Sequence, residues 1–369
     1  MSKIDDLIKE LCPDGVEFLD LANCSSIKRG KRVTKSDLDQ GAPFPVYSGG
    51  IKPMGYYRAY NQSKNTITVV KYGTAGFVNF IKEDFWANDV CYCIIPKESL
   101  VNKYLYYVLK NQEDYIKSQA TDAIPAHLPT DVIRSIKIPI PPLEVQKEIV
   151  RVLDSFTELE AELEAELEAR KRQYEYYRNT LLTFNERERV EYVQIGDICN
   201  MKRGKRVVKS QLNDTGSYPV YQNSLLPLGF FNEYNCRAGS VFMISAGAAG
   251  NIGFSNIDFW AADDCWIFDC HENLSERFLY YVLKNQQNTI NSGVRRSSIP
   301  RLSRVFIENI KIPVPSLEKQ KKIVSILDKF DALVNNISIG LPAEIESRRK
   351  QYEYYRNKLL TFKELECSR

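Results

Sequence analysis

The sequence predicts an α+β protein in which two pseudo-symmetric globular domains are joined by two long helices that form an antiparallel coiled coil. Three observations favour this fold. The chain repeats its own sequence over most of its length, each copy opens with short β-branched and aromatic runs between turn residues, and each closes in a heptad pattern that follows a proline-rich joint. With 369 residues the chain has room for two or three domains with cores of their own.

The internal repeat is clearest in four segments that return later in the chain. They are KRGKRV at 28–33 and 202–207, FWA at 85–87 and 259–261, LYYVLKNQ at 105–112 and 279–286, and QYEYYRN at 173–179 and 351–357. The first three pairs are 174 positions apart and the last pair is 178 apart. A duplication of this size predicts two similar modules related by a pseudo-symmetry axis, which suits a ligand with two related halves. DNA is the obvious candidate.

Each module is expected to be a mixed domain followed by a helix. Runs such as 66–70 (TITVV) and 241–244 (VFMI) predict short strands between Gly, Pro and Asn turns, and one helix is predicted in each domain, at 103–112 and 276–287. The expected boundaries are 1–141 for the first domain, 142–185 for the first spacer helix, 186–315 for the second domain and 316–369 for the second spacer helix.

Each long helix is predicted to start at a proline-rich joint. IPIPP at 138–142 and IPVPS at 312–316 both precede a Leu-Glu-x-Gln motif, and proline is tolerated in the first turn of a helix. The first helix is expected to span 143–184, about 63 Å at roughly 1.5 Å per residue, and this length can separate two major-groove readers by one to two turns of DNA of roughly 34–36 Å each.

Apolar and aromatic residues recur along both helices at heptad spacing. In the first helix one extra four-residue step falls inside a tetrapeptide repeat, LEAE-LEAE-LEAR at 159–170, which is the mark of a stutter. The expected seam is Ile149, Val152, Phe156, Leu159, Leu163, Leu167, Arg170, Tyr174, Tyr177 and Leu181 in the first helix, and Ile323, Ile326, Phe330, Leu333, Ile337, Leu341, Ile345, Tyr352, Tyr355 and Leu359 in the second.

The two helices are predicted to pair with each other. The first helical segment carries ten acidic and six basic residues, and the second carries eight acidic and eleven basic residues, so their charges are complementary. Gly340 and Pro342 are expected to break or kink the second helix. Tyr176 and Tyr354 lie off the seam, where they could face the opposite helix end or a partner. A coiled coil between two copies of the chain is the alternative.

Composition excludes several classes of function. No apolar run approaches the roughly 18 to 20 residues of a membrane span, and the polar N-terminus is unlike a secretory signal. The nine cysteines lack CxxC spacing and the chain has two histidines, which disfavours a zinc site and favours reduced thiols in a cytoplasmic protein. Neither an amino-methyltransferase tetrapeptide (Asp-Pro-Pro-Tyr or Asn-Pro-Pro-Tyr) nor a GxxxxGK[ST] phosphate loop occurs, so no enzymatic activity and no metal are expected.

The order of these motifs resembles the specificity subunit of type I restriction-modification systems. The resemblance rests on two globular domains, each followed by a Pro-x-Leu-Glu-x-Gln helix that ends in QYEYYR, on the entry LCPDGVE at 11–17, and on the tetrapeptide repeat, which is similar to that family's spacer of variable length. It covers essentially the whole chain.

The resemblance implies a non-catalytic subunit in which each domain is a target-recognition domain for one half of a split DNA site. It also implies two methyltransferase subunits docked on the helices and ATP-driven restriction subunits as partners. S-adenosylmethionine would belong to the methyltransferase, and ATP and magnesium to the restriction subunit, so no cofactor is expected on this chain. Losing one tetrapeptide, about 6 Å of helix against roughly 3.4 Å per base pair, should change the gap between half-sites by about one base pair.

The densest basic runs are candidates for phosphate contacts, because phosphate binding needs cations or backbone amides. They are nearly identical in the two domains, so they cannot distinguish two different half-sites. Gly30 and Gly204 permit either a positive φ or a close backbone approach. An ordinary solvated basic turn is the alternative. The predicted phosphate contacts are Lys28, Arg29, Lys31, Arg32 and Lys35 in the first domain, and Lys202, Arg203, Lys205, Arg206 and Lys209 in the second.

Base reading should come from segments that differ between the copies. The best candidates precede the shared Ile-Pro motifs at 124–125 and 299–300, and a second pair of loops is 71–76 against 245–250. The candidates are Lys71, Tyr72, Lys117, Ser118, Gln119, Thr121 and His127 in the first domain, and Asn291, Arg295, Arg296, Ser297 and Ser298 in the second. Surface loops without a reading role are the alternative, and His127 by itself is better explained as a surface or core histidine.

The repeated aromatics are predicted to be structural. Phe85, Trp86, Phe259 and Trp260 recur too faithfully to discriminate half-sites and are assigned to the cores, and the seam tyrosines are assigned to packing. Three other functions stay open: a scaffold that binds only protein, the specificity subunit of a related methyltransferase-nuclease outside type I, and an enzyme in its own right, which the missing methyltransferase tetrapeptide disfavours.

Overall fold

The computed structural model describes residues 3–121, 123–213, 215–335 and 340–365. The chain divides into two compact units, Met1–Glu162 with Ile345–Arg369 (unit 1) and Leu163–Glu344 (unit 2). The division falls between the first and second Leu-Glu-Ala-Glu tetrapeptides. The domain boundaries expected from the sequence stay a prediction, since unit 1 also contains the distant segment Ile345–Arg369 and unit 2 begins within the first spacer helix.

Unit 1 is a mixed domain with three small sheets. Its elements in chain order are α1 (Lys3–Leu11), β1 (Glu17–Asp20), α2 (Leu21–Cys24), β2 (Ser25–Arg29), β3 (Phe44–Tyr47), β4 (Tyr56–Tyr57), β5 (Thr66–Val70), β6 (Val78–Ile81), β7 (Trp86–Ala87), β8 (Cys91–Pro96), α3 (Asn102–Asn111), α4 (Glu113–Ser118), α5 (Thr130–Arg134), β9 (Lys137–Ile140) and the first half of α6 (Leu143–Leu182), whose residues from 163 onwards belong to unit 2. A central antiparallel sheet has the order β2-β8-β5-β6, a second sheet has the order β4-β3-β7 with β3 and β7 parallel, and β1 pairs with β9.

Unit 2 repeats this arrangement from β1 onwards. Its elements are β10 (Glu191–Gln194), α7 (Ile195–Ile198), β11 (Cys199–Arg203), β12 (Tyr218–Tyr221), β13 (Gly229–Phe231), β14 (Val241–Ile244), β15 (Ile252–Phe254), β16 (Trp260–Ala261), β17 (Cys265–Cys270), α8 (Glu276–Asn285), α9 (Gln287–Ser292), α10 (Arg304–Glu308), β18 (Lys311–Val314), α11 (Leu317–Asn335) and the start of α12 (Leu341–Leu360), whose residues from 345 onwards belong to unit 1. Its sheets have the orders β11-β17-β14-β15, β13-β12-β16 and β10-β18.

The predicted strands at 66–70 and 241–244 are confirmed with the bounds that the sequence indicated. Every residue of β5 and β14 is buried, because each strand has a neighbour on both edges and covering residues on both faces. The predicted domain helices are confirmed with small shifts. α3 covers Asn102–Asn111 and α8 ends at Asn285, since α4 and α9 start two residues further on as separate short helices.

The two long helices pair antiparallel within each unit, as predicted. In unit 1 the Phe156 ring stacks on Tyr355 with 5.4 Å between centroids, and Arg349 forms an ion pair with Glu160 at 2.5 Å. In unit 2 Tyr177 stacks on Phe330 at 5.2 Å between centroids. The seam tyrosines therefore pack, as predicted, whereas Tyr176 and Tyr354 are about two-thirds exposed, at 65% and 62%.

One helix bound differs from expectation, because α6 ends at Leu182 rather than at residue 184. The predicted break of the second helix is confirmed, since it is divided into α11 and α12 with Gly340 and Pro342 at the break. Ile337 of the predicted seam lies outside the described residues. Leu153 was not assigned to the seam and is fully buried in the core of unit 1, because α6 also packs against its own domain.

A buried glutamine docks each long helix on its domain and explains the repeated Leu-Glu-x-Gln motif. Gln146 is fully buried, where its Oε1 accepts from the Val101 amide at 2.8 Å and its Nε2 donates to the carbonyls of Ser99 and Pro141 at 2.9 and 2.8 Å. Gln320 makes the same three bonds in unit 2, with the Ser275 amide and the carbonyls of Asn273 and Pro315.

A second repeated contact lies further along each helix. The Tyr107 hydroxyl donates to Asp154 at 2.5 Å and the Lys103 ammonium lies 2.6 Å from the same carboxylate. In unit 2 Tyr281 donates to Asp328 at 2.6 Å, with Arg277 in place of the lysine at 2.7 Å. The helices are thus fixed to the domains that position the candidate site.

The other end of each helical pair completes a core. Leu359 and Leu360 are buried in the core of unit 1, and Leu182 is buried in that of unit 2. The arginine of each QYEYYRN motif donates to the asparagine of an LYYVLKN motif, Arg356 to Asn111 at 3.0 Å and Arg178 to Asn285 at 3.3 Å. None of the described helices is long and apolar enough to cross a membrane.

Candidate nucleic-acid interface

The basic cluster of unit 1 (residues 28–35) leaves the end of β2 and is exposed. Lys28 and Arg29 are the last residues of the strand, Lys31 and Arg32 follow Gly30, and Lys35 opens a short 3₁₀ turn; all five cations are exposed. The equivalent cluster of unit 2 (residues 202–209) has the same placement at the end of β11, with all five cations exposed. Solvent-facing cations on a defined strand end are available for phosphate contacts.

The backbone of each cluster is held rigidly by one turn, which we call the anchoring turn (87–91 in unit 1, 261–265 in unit 2). In unit 1 the Gly30 amide donates to the Cys91 carbonyl at 3.2 Å and the Lys31 amide to the Ala87 carbonyl at 2.9 Å. In unit 2 Gly204 and Lys205 make the same bonds to Cys265 and Ala261, both at 3.0 Å. The cations therefore extend from an ordered backbone.

The glycine of the cluster serves close approach and not a positive φ. A Cβ at Gly30 would stand 2.2 Å from the Asn88 carbonyl oxygen, and one at Gly204 would stand 2.1 Å from that of Ala262. Neither glycine has a left-handed φ. Of the two roles that the sequence allowed, the structure selects packing of the cluster against the anchoring turn.

The repeated Phe-Trp pair supports the same feature. Phe85 and Phe259 are fully buried, as predicted. The tryptophans are half-buried because their indole N–H groups face the basic clusters, and Trp260 also packs against the small apolar cluster of Val207, Val220 and Ala262. Trp86 donates to the Lys31 carbonyl at 2.7 Å and Trp260 donates to the Lys205 carbonyl at 2.8 Å.

The two clusters differ in their anchoring residue and in one ion pair. The Asn88 side chain bonds both the amide and the carbonyl of Val33, at 3.2 and 3.0 Å, whereas its counterpart Ala262 packs against Val207 in a small apolar cluster. Lys202 forms an ion pair with Asp269 at 2.6 Å, and both side chains are more than half exposed. Exposed pairs of this kind contribute little to stability, so Lys202 is readily released to another anion.

The candidate base-reading segments meet in each unit. Tyr72 pairs with His127 in an antiparallel bridge and their rings stack with 5.0 Å between centroids, so loop 71–76 lies beside the segment that ends at His127. In unit 2 Ala246 pairs with Arg301 in the same way. The sequence predicted these loops separately, and the structure brings them together.

A third loop joins them and was missed. The Thr74 amide donates to the Gly49 carbonyl at 2.9 Å, and in unit 2 the Ala248 amide donates to Asn223 at the same distance. This loop differs between the copies, with Ser48-Gly49 in one and Gln222-Asn223 in the other. That difference, in a region flanked by the matching YPVY-like strands β3 and β12, was the signal available in the sequence.

The anchoring turn connects these loops to the basic cluster. The Lys71 amide donates to the Val90 carbonyl and the Ser245 amide to the Asp264 carbonyl, both at 2.7 Å. The Cys91 thiol donates to the Ser48 carbonyl at 3.2 Å, and burial raises the pKa of that thiol to about 12, so it stays protonated as a donor. One turn therefore orders both the shared cations and the variable loops.

Individual candidates differ in how accessible they are. Lys71 is buried, with its ammonium 5.3 Å from the Tyr72 ring and 5.6 Å from the Tyr92 ring, so it lacks the exposure that a direct DNA contact needs and its assignment is corrected. Gln119, Arg295 and Arg296 are exposed. For the remaining candidates the assignment to DNA contacts stays a prediction.

Lys117 is exposed but already has an anionic partner. It lies on α4 with its ammonium 2.5 Å from Glu113, which Lys110 contacts from the other side. Burial by itself raises the pKa of Glu113, but hydrogen bonds from the two lysines and from the Val78 amide outweigh it, and the net effect lowers that pKa. Contact with DNA would require Lys117 to leave this pair.

The chemistry of the described residues is that of binding. No group of His, Cys, Asp and Glu within the described ranges could hold a metal ion. The eight cysteines that the structure describes are free thiols, and seven of them are buried. A chain with two similar domains, each presenting ordered cations beside loops that differ between the copies, belongs to the class of two-domain sequence-reading proteins.

The comparison with known proteins identifies the family. A family model described as "Type I restriction modification DNA specificity domain" matches the chain twice, at 13–169 and 187–347. The EcoR124I/EcoR124II specificity subunit of Escherichia coli is 32% identical over 98% of both chains, and a Haemophilus influenzae protein provisionally named a type I restriction enzyme specificity subunit is 32% identical over 91% of this chain and 92% of its own.

The fold agrees with that family. The crystal structure of a type I restriction-modification S subunit from M. genitalium superposes with a TM-score of 0.71 at 22% identity, covering 94% of this chain and 96% of that one. The chain therefore belongs to the family of type I restriction-modification specificity subunits, and it is the DNA-recognition component of such a system and not a catalytic one.

Proposed function

We propose that this chain recognises a bipartite DNA target, with one half-site bound by each unit. The observation that carries the proposal is the anchoring turn. In each unit its backbone bonds both the basic cluster, which is the same in the two units, and the loops, which differ between them. Recognition of a DNA sequence needs both, since phosphate contacts position the protein on the duplex and base contacts distinguish one sequence from another.

The division of labour follows from the repeat. A cation cluster that is the same in both units supports contacts with phosphates, which are alike in every sequence. Loops that differ between the units support contacts with bases, because two half-sites of different sequence need different readers. The third loop, with Gln222 and Asn223 in unit 2, belongs to the second group, since amide side chains suit adenine edges.

We further propose that two methyltransferase subunits dock on the paired helices and that restriction subunits join that complex in the cytoplasm, where the DNA lies. The exposed Tyr176 and Tyr354 support a pair of equivalent docking positions, because they occupy the same place in the repeated QYEYYRN motif. In such an assembly S-adenosylmethionine would bind to the methyltransferase, and ATP and magnesium to the restriction subunit.

The test is the quadruple variant Lys28/Arg29/Lys31/Arg32→Ala, assayed for binding to duplex DNA with the methyltransferase subunit present. We expect weaker binding to every sequence and a salt dependence that is less steep by up to about 3.6 in log–log slope, since each lost phosphate contact removes roughly 0.9. The double variant Lys64/Lys82→Ala, with two exposed lysines of the same unit outside the cluster, is the control.

Three other outcomes contradict the proposal in different ways. A changed base preference with an unchanged salt slope would mean that the cluster reads bases. Unaltered binding would mean that the cluster is an ordinary solvated turn. A wild-type chain that assembles with the methyltransferase but never binds DNA would identify a protein-only scaffold.

A further inference from the structure

Two arginines of unit 2 face each other across a short hairpin. The Arg295 amide donates to the Arg301 carbonyl at 2.9 Å and the Arg301 amide donates back to the Arg295 carbonyl at 3.1 Å. In an antiparallel ladder such directly opposite residues have Cα atoms about 5.5 Å apart and project their side chains to the same face. Both residues are exposed, as is the adjacent Arg296.

This arrangement is unfavourable for the isolated protein. Like charges directly opposite each other destabilise an antiparallel pair, and a guanidinium cannot be deprotonated in a protein. Within the described parts of the chain, neither Arg295 nor Arg301 has an ion pair with an acid or lies over an aromatic ring. The pair is therefore suited to a ligand that offers electronegative atoms to both guanidinium groups.

The corresponding positions of unit 1 carry different chemistry. Thr121 and His127 lie 174 residues earlier and form the same bridge, with the Thr121 amide donating to the His127 carbonyl at 2.9 Å. The His127 ring is stacked on Tyr72, whereas the residue paired with Arg301 is Ala246, which offers no ring. At equivalent positions of the two hairpins, unit 1 therefore has an imidazole stacked on a tyrosine ring, whereas unit 2 has two arginines without an acidic partner.

We propose that Arg295 and Arg301 read guanine in the half-site bound by unit 2, and that unit 1 lacks a cationic reader at the same register. This inference rests on the proposed function. Arginine forms bidentate hydrogen bonds to O6 and N7 of guanine, the commonest specific contact in the major groove. The alternative target is phosphate, but the proposed function assigns that role to the shared cations, and this position is one where the units differ.

The experiment compares Arg301→Gln and Arg295→Gln with wild type, each as the full chain assembled with its methyltransferase. Bound duplexes are selected from a random library and sequenced. Each variant should lose the guanine preference at one position of one half-site, and bind the wild-type target roughly 5- to 150-fold more weakly. The other half-site, the gap and the salt slope should not change.

Three matched variants sharpen the result. Arg237→Gln alters an exposed arginine of unit 2 outside the reading loops and should leave the selected sequence unchanged. His127→Gln should leave the half-site of unit 2 unchanged. Arg301→Lys keeps the charge but not the planar fork, so it should weaken the guanine preference less than Arg301→Gln does while retaining the salt slope. Thermal unfolding shows whether each variant is folded.

The outcomes separate this inference from the function on which it rests. If Arg295→Gln and Arg301→Gln weaken all sequences equally and lower the salt slope by about 0.9 each, the pair binds phosphate and the inference fails while the bipartite function stands. If the selected half-site of wild type contains no guanine, the inference fails too. If the wild-type complex selects no sequence at all, the proposed function itself is wrong and the inference falls with it.

Discussion

At the scale of single residues, the absence of one Cβ atom determines how the basic cluster is held. Gly30 lies against the carbonyl oxygens of the anchoring turn, and a methyl group there would meet backbone atoms that cannot rotate away. The backbone of the cluster would have to move, and the hydrogen bonds of Gly30 and Lys31 to that turn would be strained.

We therefore predict that Gly30→Ala destabilises the protein by about 1–3 kcal/mol, the usual result of forcing extra volume into a packed site. It should also weaken binding to all DNA sequences. Calorimetry and binding at fixed salt test both effects. Gly50→Ala is the control, because its Cβ would lie 3.8 Å from the nearest atom, a carbonyl oxygen. Equal melting temperatures for the two variants would contradict the close-approach role.

The role of a residue was predictable where it depends on the type of residue. It was not predictable where it depends on which residues are paired across a hairpin. The cations of both clusters were evident from the sequence, whereas the sequence left open whether Gly30 serves a positive φ or a close approach. The burial of Lys71 was not evident from the sequence, because similar sequences also occur in exposed loops. Arg301 was missed since it follows the Ile-Pro motif, and only the hairpin register places it opposite Arg295.

At the scale of elements, the buried glutamine is the joint between helix and domain. Gln146 is fully buried and bonds one amide and two carbonyl groups, of which the Pro141 carbonyl is bonded in a buried position. The motif recurs in the second copy because Gln320 has the same task.

We predict that Gln146→Leu destabilises unit 1 by about 1–3 kcal/mol, since a buried polar group left unsatisfied costs roughly that much. Gln320→Leu should have the same effect on unit 2. Urea unfolding measures both. Lys147→Leu alters the exposed neighbour and should change stability by no more than about 0.5 kcal/mol. If the Gln146 variant were as stable as the Lys147 variant, Gln146 would not be what holds the helix on its domain.

Long elements were predictable and the shortest ones were not. The heptad spacing and the prolines fixed the start of α6 and the break before α12, because periodicity over many residues is a strong signal. β4 (Tyr56–Tyr57) and β7 (Trp86–Ala87) have two residues each, too few for any period, and they form only because β3 lies between them.

At the scale of the whole molecule, the division between the units falls inside the tetrapeptide repeat. The leucines of these repeats are half-buried and most of the other residues are exposed, so the segment contributes little to either core. Its length can therefore vary without repacking a domain.

We predict that deleting residues 163–166 changes the gap between the half-sites by about one base pair and leaves both half-site sequences intact. The deletion removes about 6 Å of helix, which lies between one and two base-pair rises of roughly 3.4 Å, and the gap can change only by whole base pairs. Mapping of methylated sites made by the assembled complex measures the gap. Glu162→Gln, which keeps the length, is the control, and altered half-sites with an unchanged gap would contradict the spacer role.

The interrupted course of unit 1 has a consequence for synthesis. Unit 2 is one continuous stretch of chain, whereas the core of unit 1 includes Leu359 and Leu360 from α12. On the ribosome the core of the first domain therefore stays incomplete, with part of its apolar surface uncovered, until α12 has been synthesised.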